Sequence, residues 1–365
     1  MGLLLPLLLC ILATCCNTRS VPLQVPNFSL FHSHDCNDTR VLDIVGLALK
    51  SINDDRKEGY VLSLNRVRDV QEHRQDGLGS LFYLTLDVLE TKCHVLTKKA
   101  WSDCEVGLLH ESVYGKCKAI LYVNLPRRIV YLPAYNCTLR PVSRREIAFI
   151  CPDCPISPSV VDMSDPRVLE AVTESLAKFN NESTKQYSLV KVSKTSSQWV
   201  FGSFYFVEYL IKESPCTESP ASSCALQPPD SAPVGLCKGS LIDQVIKKDV
   251  SVTCNFFESQ ASTSEDKNST EPTYSPTKAG PRGSVQHLPN LTDEMPEESL
   301  KTSPVEAFPV QLDLTTNPQG ETLNVSFLFL EPMSEKLIVL PFPKEQHSAK
   351  CPGPAKNANP LVLPP

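Results

Sequence analysis

Beyond its first nineteen residues the sequence has no apolar run of the roughly 18 residues that a membrane-spanning helix requires. It contains no HExxH, no GxSxG and no phosphate-binding loop, and its seven histidines are scattered. It also has no basic stripe with interleaved aromatic residues, since the formal net charge is -6 and both signs are interspersed. These absences predict a monomeric protein that does not insert into membranes, is not an enzyme, needs no cofactor or metal of its own, and binds no nucleic acid.

The first residues have the pattern of a secretory signal. An apolar run from Leu3 to Cys16 is too short to span a bilayer and turns polar at 17–19. We therefore expect residues 1–18 to be a signal peptide and the protein to be secreted and extracellular. Seven N-x-S/T sequons agree with export and predict N-glycosylation, at Asn27, Asn37, Asn136, Asn181, Asn268, Asn290 and Asn324.

Cysteine usage points to an oxidising compartment. Of the fifteen cysteines, Cys10, Cys15 and Cys16 belong to the expected signal, which leaves twelve. An even number in a secreted chain predicts a disulfide framework. Cleavage before Cys16 would instead leave one odd thiol.

The chain contains an internal repeat. Four cysteines, Cys93, Cys104, Cys117 and Cys137, recur in the same order as Cys216, Cys224, Cys237 and Cys254. Upstream of them, Leu42, Val45, Leu49 and Ile52 match Leu169, Val172, Leu176 and Phe179, with the spacing of one face of an amphipathic helix. The first helix is expected to begin at Asn37 or Asp38, and the second at Ser164 or Asp165 with Pro166 in its first turn.

Segments of strand character follow each predicted helix. They are 60–70, 80–91, 119–124 and 128–135 in the first repeat, and 187–192, 203–212, 250–257 and, more weakly, 241–246 in the second. One helix followed by antiparallel strands predicts an α+β fold of two tandem domains, each with the helix packed on a four- to five-stranded sheet. We expect the first domain over 28–143, a linker over 144–160 and the second domain over 161–257.

Disulfide pairing follows from the repeat. Each domain must fold alone, so Cys93–Cys104 with Cys117–Cys137, and Cys216–Cys224 with Cys237–Cys254, would join adjacent strands. Cys151 and Cys154 are expected to pair across a short loop, which leaves Cys36 and Cys351 to connect the front of the first domain with the C-terminal region. Other connectivities remain open.

Residues 258–365 are expected to be mostly disordered. The part from Glu258 to Glu306 is rich in Ser, Thr, Pro, Glu and Lys and has few large apolar residues, so it buries too little surface to offset its ordering entropy. Apolar stretches at 308–314, 323–330 and 336–342 could pack loosely on a domain.

Several stretches together resemble the fetuins, a family with two cystatin-type domains. They are Cys36-Asn37-Asp38, the segments 77–90 and 135–142, Cys151-Pro152-Asp153-Cys154-Pro155, and 313–320. The resemblance covers essentially the whole chain. It implies a secreted inhibitor of astacin-family zinc metalloproteinases, with the egg protease ovastacin as the target, whose restraint keeps the egg coat penetrable for fertilisation. It also implies that Asp153 ligates the zinc of the protease.

The linker motif supports that role on physical grounds. A disulfide between Cys151 and Cys154 closes a very small ring, Pro152 suits a tight turn, and Asp153 is left at the tip. A carboxylate oxygen can occupy the open position of a catalytic zinc at about 2.0–2.2 Å. The competing interpretations are a plain structural crosslink, a redox pair and half of a zinc site. Pro155 and Pro158 prevent the following helix of a redox motif, and no second ligand pair exists for a zinc site.

A second candidate site is Gln198-Trp199-Val200-Phe201-Gly202, which has the Q-x-V-x-G form of the first hairpin of cystatins that block papain-like proteases. In the first repeat the aligned stretch is 75–79, where glycine replaces the valine. We expect Trp199 to be an exposed anchor that grips the metalloproteinase cleft beside Asp153, together with the second hairpin near 242–248. The alternative places Trp199 in the core.

Two other functions remain open. The first is inhibition of cysteine proteases through Gln198–Gly202, although no free N-terminal trunk precedes the second domain. The second is calcium phosphate transport in plasma, as in the related fetuin-A, which would need a dense acidic face on the first sheet. Asp87 and Glu90 share their strand with leucines, so that face looks sparse.

Overall fold

The computed structural model describes residues 30–155, 165–200, 202–214, 232–243, 248–257, 282–289, 308–329, 335–345 and 350–365. The expected signal peptide, the Cys216–Cys224 pair and the sequons at Asn27, Asn268 and Asn290 lie outside the described residues. The fold is α+β, with two tandem domains of one helix on one sheet. Within the described residues, no helix combines the length and the apolar character needed to cross a bilayer.

The first domain wraps a long sheet around helix α1 (Thr39–Asp55). Its strands are β1 (His32–Ser33), β2 (Tyr60–Gln75), β3 (Gly79–His94), β4 (Val113–Asn124) and β5 (Ile129–Pro141). The helix begins at Asp38, whose carboxylate accepts a hydrogen bond from the Arg40 amide at 2.8 Å. One face of the helix packs on apolar residues of β2 to β5 to form the main core.

The second domain repeats this plan on a smaller scale. Helix α3 (Pro166–Glu182) packs on β6 (Tyr187–Trp199), β7 (Ser203–Glu213), β8 (Gly235–Asp243) and β9 (Lys248–Phe256). The helix begins at Asp165, which accepts from the Arg167 amide at 2.9 Å, and Pro166 occupies its first turn. The four strands form one antiparallel sheet in chain order.

The predicted helix faces are each displaced by one residue at their start. Leu42 is 38% exposed and Leu169 is 48% exposed, whereas Val41 and Val168 are buried. Successive helical residues differ by about 100°, so a face centred one residue earlier turns these leucines outward while Val45 and Val172 stay in the core. The prediction of inward-facing Leu42 and Leu169 was therefore wrong.

The strands are longer than predicted, and their register explains two of the disulfides. Cys117 lies directly opposite Cys137 on β4 and β5, and Cys237 lies directly opposite Cys254 on β8 and β9. Both pairs have Cα atoms 4.0 Å apart. Strand ends such as 71–75 and 136–141 are polar or contain proline, so they lack a strand pattern in sequence, yet neighbouring strands pair with them.

Much of the C-terminal region is ordered, in contrast to the predicted disorder. The segments 308–329 and 335–345 cover the outer face of the first sheet, opposite the helix. They include β11 (Glu321–Asn324) paired with β12 (Lys336–Val339). Leu312, Val325, Leu337, Val339 and Leu340 form a second core with apolar side chains of β3, β4 and β5. Apolar residues that look isolated in sequence are buried because the sheet supplies their partners.

The sheet of the first domain is also larger than expected. Strand β10 (Arg282–His287) from the C-terminal region pairs in parallel with β5, so the sheet has six strands in the order β1-β2-β3-β4-β5-β10 and is mixed. The predicted four- to five-stranded antiparallel sheet is therefore too small for this domain, while the four strands of the second domain agree with it.

Candidate functional site: the disulfide loop between the domains

A short helix leads into the candidate loop. Helix α2 (Arg144–Ile150) begins at Ser143, whose hydroxyl accepts from the Glu146 amide at 3.5 Å. It ends at Cys151, whose N–H donates to the Ile147 carbonyl at 2.7 Å. Ile147 is buried against the first domain. The loop therefore starts from a helix anchored on the first domain, inside the segment 144–160 that the sequence predicted to be a linker.

The loop itself is a crosslinked turn. Cys151 and Cys154 form a disulfide with Cα atoms 5.4 Å apart, and the Cys154 N–H donates to the Cys151 carbonyl at 3.1 Å. Pro152 and Asp153 are the two central residues of this turn, and both are exposed. Pro155 lines the cleft between the domains. The Asp153 carboxylate is thus presented to solvent on a backbone held by a ring closure, a hydrogen bond and a helix.

The first hairpin of the second domain contacts this loop. The Gln198 side-chain amide donates to the backbone carbonyl of Asp153. Trp199, the next residue, is 74% exposed and does not lie in the core. At the hairpin tip the Val200 N–H donates to the Gly202 carbonyl at 3.3 Å, and Gly202 has φ 151°, a conformation that side chains rarely adopt. Phe201 lies outside the described residues, as does 244–247 at the tip of the second hairpin.

Two apolar residues beside the loop were missed from the sequence. Phe149 is 90% exposed and Ile150 is 57% exposed, immediately before Cys151. These two exposed residues lead into the loop, and the exposed Trp199 follows Gln198, which contacts the Asp153 carbonyl. Such a concentration of exposed apolar surface marks interaction sites. The signal in the sequence was the pair of bulky apolar residues next to a predicted turn.

The structure contains most of the predicted disulfides and exposes most of the sequon residues that it describes. Five of the six expected disulfides are formed in the structure: Cys36–Cys351, Cys93–Cys104, Cys117–Cys137, Cys151–Cys154 and Cys237–Cys254. The sequon residues Asn37, Asn181 and Asn324 are exposed. Asn136 is partly exposed and donates to the Gln311 carbonyl at 2.5 Å.

The corresponding hairpin of the first domain is partly covered by the C-terminal region, on both sides of its exposed tip. Gln75 exchanges two hydrogen bonds with the backbone of Ile338, at 3.1 and 3.2 Å. Leu78 packs into the second core, and its carbonyl accepts from the Tyr122 hydroxyl at 2.5 Å. The C-terminal region therefore packs against the hairpin at 75–79, which aligns in sequence with Gln198–Gly202.

The two acidic residues considered for mineral binding are paired with basic groups. Asp87 is fully buried and contacts Arg66 at 2.6 Å and Arg68 at 3.6 Å. Burial raises the pKa of Asp87, and the neighbouring arginines oppose that rise. Glu90 lies 3.8 Å from Arg56 and 3.4 Å from His287. These carboxylates face basic side chains and not a mineral surface.

Comparison with known proteins identifies the family of the chain. The cystatin domain family matches residues 31–125 and 157–245. Human fetuin-B is 63% identical over 386 aligned residues, which cover 100% of both chains, and mouse fetuin-B is 59% identical with the same coverage. The chain belongs to the fetuin family of cystatin-domain proteins. It is therefore a member of a protease inhibitor family and not an enzyme. Its membership in this family and its several disulfides indicate an extracellular protein.

Solved fetuin structures have the same fold. Mouse fetuin-B alone has a TM-score of 0.74 at 57% identity, over 92% of this chain and 100% of that chain. Mouse fetuin-B has also been solved in complex with crayfish astacin, with a TM-score of 0.76 at 58% identity over 92% and 98% of the two chains. A third structure is an inhibitory complex of mouse fetuin-B with human meprin beta, with a TM-score of 0.77 at 57% identity.

Proposed function

We propose that this chain is a secreted inhibitor of astacin-family zinc metalloproteinases and that Asp153 ligates the catalytic zinc. The observation that carries the proposal is the exposed Asp153 carboxylate at the tip of a two-residue turn closed by Cys151–Cys154. Mouse fetuin-B, its relative, is found in complexes with crayfish astacin and human meprin beta. An ovastacin-like protease of the egg is the proposed target.

Preorganisation is the physical advantage of this loop. The disulfide, the Cys154–Cys151 hydrogen bond and helix α2 hold the backbone before any partner arrives. Little conformational entropy is left to lose on docking, so more of the contact energy appears as affinity. A carboxylate oxygen at about 2.0–2.2 Å from the zinc would take the position that a catalytic zinc leaves open for water.

The same geometry explains resistance to cleavage. The Asp153 carboxylate takes the place that a scissile carbonyl needs at the zinc. The ring between Cys151 and Cys154 turns the backbone away from an extended strand, which is the conformation a cleft would bind. The loop therefore inhibits without serving as a substrate.

Apolar contacts on both sides complete the proposed interface. Trp199 lies beside the loop on the second domain, and Phe149 and Ile150 precede it on the first. Large exposed aromatic side chains at the centre of an interface contribute most of its binding energy. They are expected to enter the cleft on either side of the zinc.

The decisive experiment compares Asp153→Ala and Asp153→Asn with the unchanged protein as inhibitors of crayfish astacin and meprin beta. The alanine variant should raise the inhibition constant at least about 100-fold, because a charge-assisted metal contact at the centre of the interface is lost. The asparagine variant keeps the shape of the side chain but removes the charge, and should lose most of the inhibition too. Asp76→Ala, an exposed acid in the first hairpin, is the matched control and should change nothing.

Full inhibition by Asp153→Ala would contradict the proposal. Papain should be tested in parallel, because inhibition through Gln198–Gly202 would not depend on Asp153. Papain inhibition that is lost with Trp199→Ala would favour the cysteine-protease alternative.

A further inference from the structure

Side chains buried between the domains form a cluster with no direct part in zinc binding. Tyr60 opens β2 of the first domain and is 9% exposed. Its hydroxyl donates to Oε2 of Glu208, on β7 of the second domain, at 2.7 Å. The other oxygen, Oε1, accepts from Lys238 of β8 at 2.8 Å. Both oxygens of the carboxylate are therefore engaged, one across the domain boundary and one within the second sheet.

Aromatic contacts extend this cluster. The ring of Tyr60 meets the ring of His94 edge to face at 5.6 Å, and His94 stacks on Phe257, just beyond β9 of the second domain, at 6.1 Å. His94 is 2% exposed, and burial together with the nearby Arg56 lowers its pKa to about 4. The imidazole is therefore neutral at pH 7 and stacks without a buried charge.

The cluster includes a residue of β7, the strand that follows the candidate hairpin. Glu208 lies on β7, five residues from Ser203 at the hairpin tip, a span of about 17 Å along a strand. At the tip of the same hairpin, Gln198 contacts the loop through the Asp153 carbonyl. A cleft of about 450 Å³, lined by Tyr60, Glu208 and Pro155 among others, lies between the domains. A domain beside such an open cleft needs specific contacts to hold its orientation.

We propose that Tyr60 and Glu208 are positioning residues that fix the second domain relative to the Asp153 loop, so that loop and hairpin reach a protease as one preformed surface. The proposal rests on the proposed function for its consequence, since the hairpin and the loop are then two halves of one interface. Without the contact, the second domain would have to be ordered during binding, and this cost would appear as weaker inhibition.

The ion pair of Glu58 and Lys191 is a weaker contact between the domains. They also join the two domains, at 2.7 Å, but their side chains are 76% and 55% exposed. Exposed ion pairs contribute little because water screens them and two long side chains must be ordered. The Tyr60 hydroxyl, by contrast, is buried and donates to the Glu208 carboxylate, which is only 18% exposed. A charge-assisted hydrogen bond in this partly buried setting is stronger than an exposed ion pair, and its loss is costly.

The test is Tyr60→Phe, which removes only the hydroxyl and keeps the ring on His94. We expect the inhibition constant for meprin beta to rise about 10-fold, in the range of a lost hydrogen bond to a charged group. Small-angle X-ray scattering of the free variant should show a larger radius of gyration and maximum dimension than the unchanged protein. Glu208→Gln should move both quantities in the same direction by a smaller amount.

Tyr83→Phe is the matched control. Tyr83 is also buried and also loses hydroxyl hydrogen bonds, to Leu340, but it lies under the C-terminal region and away from the domain boundary. It should lower stability while inhibition and scattering stay unchanged. A general loss of stability would affect Tyr83→Phe and Tyr60→Phe alike.

A double-mutant cycle with Trp199→Ala tests the route of the effect. If Tyr60 acts by placing the hairpin, Tyr60→Phe should change inhibition less than about 2-fold once Trp199 is absent. Additive effects, or a Tyr60→Phe protein that scatters and inhibits as the unchanged protein does, would overturn the proposal. Loss of inhibition in Asp153→Ala beside a silent Tyr60→Phe would overturn it and leave the proposed function standing. If the unchanged protein did not inhibit at all, the proposed function would fail and the scattering comparison would still decide the positioning role.

Discussion

The two domains share one plan, a helix on one face of an antiparallel sheet, and differ in what covers the other face. In the first domain the outer face of the sheet carries Leu81, Tyr83 and Ile120, and the C-terminal region packs on it. In the second domain Phe206 and Ser240 stand at the positions that match Tyr83 and Ile120, and this outer face of β7 and β8 lines the cleft between the domains. Two copies of a repeat can therefore keep the same inner core while the outer faces of their sheets carry different residues and contact different parts of the protein.

The hairpins differ in the same way. The first hairpin is hydrogen-bonded to the backbone of Ile338, and its Leu78 is partly buried against the second core, so it serves the packing of the C-terminal region. The second leaves Trp199 74% exposed beside Asp153. Among the described residues of the two hairpins, only Trp199 of the second is a large apolar side chain that is exposed.

The largest expected effect tests the covered face of the first sheet. Tyr83 of β3 is 1% exposed, and its hydroxyl bonds the backbone of Leu340. Tyr83→Ala should lower the free energy of unfolding by about 3–5 kcal/mol, as for other large aromatic truncations in a core. Phe206→Ala, at the matching outer position of β7, should cost less than about 2 kcal/mol, because that side chain is only partly buried. Chemical denaturation of both variants measures the difference, and equal losses would refute the comparison.

The second largest expected effect is a loss of folding stability at low pH. The second domain, 165–257, contains no histidine, whereas His94 is buried in the first. In the folded protein the pKa of His94 is lowered from 6.5 to about 4, first by desolvation and then by the charge of Arg56. The carboxylates of Glu208, Glu58 and Glu90 oppose this shift. Below pH 6.5 the His94 imidazole is protonated in the unfolded chain, whereas in the folded chain it stays neutral down to about pH 4. Stability is therefore lost as the pH falls through this window, by about 3 kcal/mol at most.

Unfolding measured at pH 7 and pH 4.5 checks this prediction, with His94→Gln as the test variant. The variant should be less stable at pH 7 because its ring contacts are gone, and its stability should fall less between the two pH values. An unchanged pH dependence would show that His94 is not the group responsible.

The smallest effect compares the hairpins directly. Trp199→Ala should raise the inhibition constant for meprin beta about 10- to 100-fold, equivalent to about 1.4–2.8 kcal/mol. Leu78→Ala, in the covered hairpin of the first domain, should leave inhibition unchanged although it removes core contacts. The expected division of roles between the hairpins would be lost if Leu78→Ala weakened inhibition as much as Trp199→Ala.

The parts that sequence reasoning predicted share a local or repeated signal. The α+β plan and the N-terminal residues of both helices follow from helical spacing, capping residues and recurring cysteines, and the family follows from the resemblance of local segments such as 151–155. The crosslinked turn at 151–154 is equally local, because a two-residue spacing and a proline restrict it almost completely. The displaced helix faces show the limit of this approach, since a leucine one residue away from a valine gives nearly the same pattern.

The sequence alone determined that this chain forms two repeated, crosslinked domains and that an acid stands at the tip of a closed loop, because each of these depends on residues close together or repeated in order. Only the tertiary structure decided that the C-terminal region covers the first sheet, that Gln198 contacts the Asp153 backbone next to an exposed Trp199, and that Tyr60 reaches Glu208 across the domain boundary. Those contacts join residues that are far apart in the chain; Tyr83 and Leu340, for example, are separated by 257 positions. Their partners are chosen by packing and not by any spacing along the chain.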